Sequence, residues 1–469
     1  MKCNKKKVFA ILATALLYSS AQAKITMPAL FGDGMVLQQQ TNASIWGKTD
    51  VKGKKVTITT SWDKKKYTVS ADQDGNWKTQ VSTPHYGGPY EIIISDGETL
   101  KIKNIEIGEV WLCSGQSNME MCLWGRRGDV LQGAMDAIVT KANPEIRVFN
   151  VPHNMQSAPV YDSKGVWQEA NTETLPTFPA GAYFFAKKIH EMLGVPVGLL
   201  HASVGGSSVQ AWMSKESMLP YMEDSIMKKH GDKSILFNGM LSSLIGYTIK
   251  GALWYQGEAN MEEPDLYAKL FPTMVADWRK LWSQGDFPFY YAQIAPFNYH
   301  KGGVGKGKNS AYLREAQMKS LDVIPNSGMA ILTDIGDDRT IHPMNKEDVG
   351  KRFAYLALGK TYGFKGFTTT GPIYKSMTIN GNEIELTFDN VDKCLLDWHT
   401  GLKDFEVAGE DKVFHPAKAR YNKEKTKVIV SSPEVKNPVA ARYAFKDYVK
   451  GSLFNNLGLP ASSFRTDNW

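Results

Sequence analysis

The chain has 469 residues, of which 42% are hydrophobic and 22% charged, a composition that excludes a disordered or fibrous protein. This length is more than one ordinary core supports, so it favours two or three domains. The formal net charge is +7, and the first 23 residues contribute four lysines and no acidic residue to it. The rest of the chain therefore carries +3, which gives no electrostatic reason to expect a nucleic-acid partner.

The first 23 residues have the pattern of a secretory signal peptide. Four lysines precede an apolar segment at 8–18, and the Ala-Gln-Ala at 21–23 is a small-residue cleavage site. No later stretch has the ~20 apolar residues of a membrane span, and the three remaining cysteines form no disulfide framework. We therefore predict an exported bacterial protein, periplasmic or secreted, with a signal peptide at 1–23 and no membrane span.

The rest of the chain divides into three parts by the period of its apolar residues. Short strand patterns separated by turns, at 56–60, 66–70 and 90–94, predict an N-terminal β-sandwich over 24–104. Strand patterns return after residue 366, for example at 373–379, 383–388, 412–414, 427–431 and 440–445. They predict a C-terminal β domain over 366–469.

Between these β parts, residues 105–365 alternate buried-strand runs with helical patterns. The strand runs lie at 110–113, 197–201, 251–255, 287–294 and 329–333. Ala182, Phe185, Ile189 and Met192 share one face of a helix, and further helical patterns occupy 266–282, 312–321 and 345–359. This alternation predicts an α/β domain with a parallel sheet and helices on both faces.

The first of these strand runs ends abruptly in a polar segment. Residues 109–121 read EVWLCSGQSNMEM, in which an apolar strand is followed by the polar residues 114–118. Gly115 permits a sharp turn just before Ser117. A serine at the end of a buried strand lies at the carboxyl edge of an open sheet, where such folds bind ligands.

Three further polar segments follow strand runs. ASVGGS at 202–207 has paired glycines, Gly205 and Gly206, whose backbone N–H groups a ligand can approach closely. WYQGEAN at 254–260 ends a buried run with Gln256, Glu258 and Asn260. The segment TDIGDDRTIHP at 333–343 contains His342.

An open sheet brings these segments together at one edge, and their residues are those needed for acyl transfer to a serine. His342 would take the proton from Ser117. The N–H groups of Ser117 and of Gly205 or Gly206, with the amide of Gln256 or Asn260, would stabilise the oxyanion.

The chain resembles the bacterial sialate O-acetylesterases of the SGNH-hydrolase superfamily. The matching stretches are GEVWLCSGQSNME, VPVGLLHASVGGSSVQAW, LFNGML, IKGALWYQGEAN, IHPMNKEDVGKR and GLPASSFRTDNW. The resemblance implies a three-layer α/β/α domain flanked by β domains, and O-acetyl ester hydrolysis without metal or cofactor. It also implies Ser117 as nucleophile, His342 as general base, and oxyanion donors at Gly206 and in QGEAN.

One departure from the family leaves the third catalytic residue open. Relatives commonly have an acid two residues before the histidine, where this chain has Thr340. We predict Asp338 as the third member, with Asp337 as the reserve, and assign Asp334 to fixing the loop. A Ser-His dyad oriented by a backbone carbonyl is the other alternative.

The substrate is the second open question. The expected partner is an O-acetylated sialic acid, whose carboxylate Arg126, Arg127 or Arg279 would bind, although the default role of these arginines is solvated surface charge. The alternative is acetylxylan or another acetylated polysaccharide. A different class, a carbohydrate-binding protein with an inactive hydrolase domain, is permitted by the β parts and twelve tryptophans but disfavoured by the presence of Ser117 and His342.

Overall fold

The structure is a computed structural model that describes residues 24–126, 128–225, 227, 233–301 and 307–469. The predicted signal peptide at 1–23 lies outside these residues. Within the described ranges, no helix has the length and apolar character needed to cross a membrane.

The N-terminal part of the described chain is built from short strands. They are β1 (Val36–Gln38), β2 (Asn42–Lys48), β3 (Lys55–Thr60), β4 (Lys66–Ser70), β5 (Asn76–Ser82), β6 (Gly87–Ser95) and β7 (Thr99–Gly115). β2 and β5 form an antiparallel ribbon, while β3 pairs with both β4 and β6. β6 then pairs with the first half of β7.

β7 is the strand that joins this part to the centre of the molecule. Its 17 residues change from an alternating exposure pattern to an uninterrupted buried run. It pairs in parallel with one later strand from Glu109 onwards and with another, on its other side, from Trp111 onwards. The boundary predicted between the N-terminal β domain (24–104) and the α/β domain (105–365) therefore falls inside one continuous strand, β7.

The central part is a sheet with helices on both faces. Its other strands are β8 (Asn143–Asn150), β9 (Trp167–Ala170), β10 (Val197–Ser203), β11 (Gly251–Tyr255), β12 (Phe289–Ala292) and β13 (Ser327–Ala330). The order is β13-β12-β11-β7-β10-β8-β9, and every neighbouring pair is parallel except β8 and β9. The first strand, β7, thus lies in the middle, with later strands on both sides, and ligands bind beyond the carboxyl ends of strands at such a reversal.

The α-helices of the described chain lie between these strands, except the last, which follows β13. They are α1 (Ser117–Glu120), α2 (Ala134–Ile138), α3 (Ala180–Leu193), α4 (Lys215–Met218), α5 (Pro264–Trp282), α6 (Ala311–Val323) and α7 (Lys346–Leu356). Short 3₁₀ segments occupy Leu175–Thr177, Val209–Trp212, Leu219–Tyr221, Ser242–Leu244 and Glu258–Asn260, and π turns occupy Phe237–Leu241 and Ala357–Thr361.

Alternate side chains of the sheet pack in two separate apolar clusters, one on each face. The domain therefore has three layers, with the sheet between two layers of helices. Trp111 and Cys113 of β7 pack in one apolar cluster with α3 and α7. Val110 and Leu112, on the opposite face, pack in the other cluster with α5 and α6. The predicted α/β fold class is therefore confirmed.

Most strand and helix predictions in this part are close to the observed bounds, but β8 and β9 were not predicted. β8 reads NPEIRVFN, whose proline and charges conceal a buried strand. Arg147 at its centre is fully buried, because it donates to the Gly34 carbonyl at 2.9 Å and to Glu106 at 3.1 Å. The buried, ion-paired Arg147 thus interrupts the run of apolar residues by which a buried strand is predicted.

The C-terminal part consists of antiparallel sheets with their own apolar cluster. Its strands are β14 (Ile373–Asn380), β15 (Glu383–Asp389), β16 (Leu395–Leu396), β17 (Phe405–Ala408), β18 (Phe414–Pro416), β19 (Lys418–Tyr421), β20 (Lys427–Ser431), β21 (Ala440–Tyr443), β22 (Phe454–Asn455) and β23 (Phe464–Arg465). Buried hydrogen bonds join it to the central part, including Thr333 Oγ1 to the Ala461 carbonyl at 2.7 Å.

Candidate active site

Ser117 lies directly beyond the end of β7, as the sequence pattern predicts. Gly115 has φ +141°, and a Cβ at this position would lie 2.1 Å from the Tyr255 carbonyl oxygen of β11. That carbonyl accepts the Gln116 N–H at 3.0 Å, which fixes the turn. The chain then enters α1 with Ser117 as its first residue, 6% exposed. Glycine is required here because a side chain would clash and would have to adopt an unfavourable φ.

His342 and Ser117 are 225 residues apart in the chain and in direct contact in the fold. The imidazole Nε2 lies 2.9 Å from Ser117 Oγ. His342 lies in the loop that follows β13. The backbone N–H of His342 donates to Thr340 Oγ1 at 3.0 Å. The separation between Oγ and Nε2 is that of a hydrogen bond from a serine hydroxyl to a general base.

The carboxylate that contacts His342 is Asp129. Its Oδ2 lies 2.7 Å from His342 Nδ1, and its Oδ1 accepts the Thr340 hydroxyl at 2.6 Å. Asp129 lies in the irregular segment between α1 and α2, where its backbone exchanges two hydrogen bonds with Arg126, at 2.8 and 2.9 Å. Ser117, His342 and Asp129 thus form a continuous chain of hydrogen bonds.

The prediction that Asp338 or Asp337 orients the histidine is therefore corrected. Asp337 accepts the N–H and guanidinium of Arg339, so its carboxylate is engaged within the loop that precedes His342. Asp338 is half-exposed, with Arg339 at 3.9 Å as its ion-pair partner. Asp334 binds Arg352 of α7 with both oxygens, consistent with fixing the loop.

Thr340 explains how the acid is supplied from elsewhere. It lies two residues before His342, and its hydroxyl holds Asp129 against the imidazole. The absence of an acid at 340 was the one signal in the sequence that the carboxylate comes from another segment. Nothing in the local pattern around Asp129 identified that segment.

The electrostatics suit a histidine that acts as a base. Burial lowers the pKa of His342 below its ordinary value of 6.5, and the hydrogen bond and charge of Asp129 act in the opposite direction. The lowered pKa favours the neutral imidazole, the form that accepts a proton. Its Nδ1 contact with a carboxylate favours the tautomer with the proton on Nδ1, which leaves Nε2 free to accept.

A second buried network holds the two reacting segments together. Asn118, next to Ser117, donates to Glu258 at 2.5 Å and to the Ile341 carbonyl at 3.1 Å, and it accepts from Lys346 Nζ at 2.5 Å. Burial lowers the pKa of Lys346 to about 7 and raises the pKa of Glu258. Asn118 therefore ties the serine turn to the residue that precedes His342.

The predicted oxyanion donors fall into two groups. Gly206 lies three residues beyond Ser203, which pairs with Gly115, and its φ is +75°. Among the described residues, nothing accepts a hydrogen bond from the backbone N–H of Gly206 or of Ser117. These two backbone groups are available to a ligand at the end of β7.

The side-chain amides of Gln256 and Asn260 are largely engaged within the protein. Gln256 Nε2 donates to the Ser207 carbonyl at 3.1 Å and to Asn260 Oδ1 at 2.8 Å, so both of its hydrogens are used. The prediction of Gln256 as a direct donor is therefore not supported by this geometry. Asn260 Nδ2 donates once among the described residues, to Gln210 at 2.9 Å, which leaves one hydrogen for a ligand.

The three arginines considered for a substrate carboxylate lie in different places. Arg126 is beside the triad, whereas Arg127 lies outside the described residues. Arg279 is buried against the Phe287 and Pro325 carbonyls, which precede β12 and β13, at the opposite edge of the sheet from Ser117. The described residues also contain no group of three or more His, Cys, Asp or Glu placed to hold a metal ion.

Comparison with known proteins places the chain among carbohydrate esterases. Residues 107–358 match the family model described as carbohydrate esterase, sialic acid-specific acetylesterase. The sialate O-acetylesterases of Homo sapiens and Mus musculus are 28% and 26% identical to this chain, over 78% and 81% of it and 77% and 82% of their own lengths.

A solved structure extends the similarity to almost the whole chain. The crystal structure of a carbohydrate acetylesterase from Xanthomonas citri is 33% identical and has a TM-score of 0.86. The alignment covers 95% of this chain and 100% of that one. The chain is thus a carboxylic ester hydrolase, and it belongs to the sialic acid-specific acetylesterase family of carbohydrate esterases.

Proposed function

We propose that the protein is an exported serine esterase that removes O-acetyl groups from sialic acids, with Ser117, His342 and Asp129 as its catalytic triad. The observation that supports this proposal is the unbroken contact from Ser117 Oγ to His342 Nε2 at 2.9 Å and from His342 Nδ1 to Asp129 at 2.7 Å. These are the contacts that activate a serine hydroxyl as a nucleophile.

In the acylation half, Ser117 Oγ attacks the acetyl carbonyl while its proton passes to His342 Nε2. The carboxylate of Asp129 stabilises the imidazolium that forms. The negative charge on the carbonyl oxygen is accepted by the N–H groups of Ser117 and Gly206, with Asn260 Nδ2 as the proposed third donor. His342 then gives the proton to the departing sugar hydroxyl, leaving Ser117 acetylated.

In the deacylation half, His342 takes a proton from a water molecule, which attacks the acetyl group on Ser117. The same donors stabilise the second oxyanion. The proton returns from His342 to Ser117 Oγ as acetate leaves. Gln256 supports both halves indirectly, because its hydrogen bond at 2.8 Å fixes the orientation of the Asn260 amide.

The substrate class is inferred from the family. The matching model is described as sialic acid-specific, and the human and mouse relatives are sialate O-acetylesterases. The second candidate is another acetylated glycan such as acetylxylan, because the Xanthomonas citri protein is described only as a carbohydrate acetylesterase. We also propose export to the periplasm or the medium, based on the signal-peptide pattern at 1–23, and treat 24–104 and 366–469 as β domains that flank the catalytic part, 105–365.

The test is acetate release from a small panel by the wild type and by Ser117→Ala. The panel contains 4-nitrophenyl acetate, 9-O-acetyl-N-acetylneuraminic acid and acetylated xylo-oligosaccharides. We expect the wild type to prefer the sialic acid and Ser117→Ala to lose at least about 10³-fold in kcat on every substrate, because the nucleophile is gone. Equal rates for both proteins would reject the mechanism, and a preference for the xylo-oligosaccharides would reject the sialate assignment.

A further inference from the structure

Arg126 is fixed in position next to the catalytic groups. Its N–H donates to the Asp129 carbonyl at 2.9 Å, and the Asp129 N–H donates back to its carbonyl at 2.8 Å. This pair of backbone hydrogen bonds places the start of the Arg126 side chain next to the residue whose carboxylate contacts His342.

The guanidinium of Arg126 lies between the other two segments of the site. Its Nη1 donates to Glu120 at 3.0 Å, and Glu120 is the last residue of the helix that begins with Ser117. On its other side is Gly205, where a Cβ would approach Nη2 to 2.5 Å and the guanidinium carbon to 3.0 Å. The absence of a side chain at Gly205 thus leaves room for the cation beside Gly206.

One edge of this guanidinium is unoccupied. Among the described residues, Nη1 has Glu120 as its partner, whereas nothing accepts from Nε or Nη2. The side chain is 39% exposed, so part of it is open to solvent. Adjacent N–H groups in a guanidinium match the two oxygens of a carboxylate and bind them with paired hydrogen bonds.

Glu120 limits rather than cancels this charge. One of its oxygens binds Arg126, and the other lies 3.0 Å from His153 Nε2. A single carboxylate shared in this way leaves most of the guanidinium donors available. A neutral sugar forms no ion pair with Arg126, whereas an acidic sugar does.

We propose that Arg126 is a specificity-determining residue that binds the carboxylate of an acidic, O-acetylated sugar while its acetyl group lies at Ser117. This inference rests on the proposed esterase function and names the part of the substrate that the enzyme distinguishes. Arg126 acts on substrate choice, and the triad acts on the bond that breaks.

The experiment compares two substrates that differ in one charge: 9-O-acetyl-N-acetylneuraminic acid and the same sugar with its carboxylate converted to a primary carboxamide. The readout is the ratio of kcat/KM values for acid and amide, measured by acetate release. We expect the wild type to prefer the acid and Arg126→Gln to lower the ratio about 10- to 100-fold, the range for a charge-assisted hydrogen bond. Arg126→Lys should fall between them, and Glu120→Gln should raise the ratio.

The matched control is Arg339→Gln, since Arg339 lies on the His342 loop, is 75% exposed and pairs with Asp337. Its ratio should equal that of the wild type. A fall in both rates with an unchanged ratio for Arg126→Gln would overturn the proposal, because it would show that Arg126 only supports the loop of Asp129. A wild type that hydrolyses both sugars at equal rates would also overturn it and leave the esterase function standing. Hydrolysis of 4-nitrophenyl acetate but of neither sugar would overturn the sialate assignment and the Arg126 proposal together.

Discussion

Replacing Asp129 by Asn tests whether the third member of the triad is Asp129, as the structure indicates, or Asp338, as predicted from the sequence. The carboxylate contacts the imidazole at 2.7 Å, which places the two charge centres ~4 Å apart in the state where His342 is protonated. At an effective dielectric constant of about 20, such a pair is worth roughly 4 kcal/mol. Because about 1.36 kcal/mol corresponds to tenfold in rate, kcat should fall by about 10³.

Solvent reduces this value only moderately, because the side chains of His342 and Asp129 are 15% and 17% exposed. The loss should therefore be at least about 10²-fold. The asparagine adds a second effect, since its amide can donate to Nδ1 and favour the tautomer whose Nε2 cannot accept a proton.

The assay is steady-state hydrolysis of 4-nitrophenyl acetate by Asp129→Asn, with Asp338→Asn as the matched control. Both variants remove one carboxylate near the His342 loop, but only Asp129 contacts the imidazole. We expect Asp338→Asn to stay within about threefold of the wild type, as is usual for a half-exposed residue. The reasoning is refuted if Asp129→Asn retains wild-type kcat, or if Asp338→Asn is the variant that loses it.

Three further predictions follow from the same contacts. Adding Thr340→Asp to Asp129→Ala should recover at least about tenfold in kcat over Asp129→Ala alone, because the hydroxyl at 340 lies 2.6 Å from the missing carboxylate; no recovery would refute this geometry. The acid limb of the kcat/KM profile should lie below pH 6.5, since the pKa of His342 is lowered and the base must be neutral. Lys346→Met should move that limb to higher pH, because it removes a cation that lowers the pKa of His342. A limb that moves to lower pH would contradict this prediction. Gly115→Ala should lower the free energy of unfolding by at least about 2 kcal/mol in urea titrations, given φ +141° and a Cβ 2.1 Å from a carbonyl oxygen, and unchanged stability would argue against the turn.

The parts of the fold that the sequence predicts best are those with uninterrupted apolar patterns. β11 and α3 were found because their buried faces consist of apolar residues alone. β8 was missed because Arg147 is buried through ion pairing and carbonyl contacts that depend on Glu106 and Gly34, both distant in the chain. A local pattern does not contain that information.

The site divides in the same way. Ser117 and His342 follow buried strands, so the edge of the sheet brings them together. Asp129 lies in irregular structure 213 residues before His342, and it was invisible to an argument based on strand ends. Gln256 follows a strand too, yet its amide is used inside the protein, because a polar side chain at a strand end can pack as well as bind a ligand.

The claim that Ser117 is a nucleophile activated by His342 is tested most directly by labelling with a fluorophosphonate ester. Peptide mass spectrometry then locates the covalent adduct. Such a reagent phosphonylates a serine that is activated by a neighbouring base. The account predicts one adduct, on Ser117, that is lost in Ser117→Ala and formed at least about 10²-fold more slowly in His342→Ala. Rapid labelling of another residue with loss of activity, or labelling of Ser117 at an unchanged rate without His342, would contradict it.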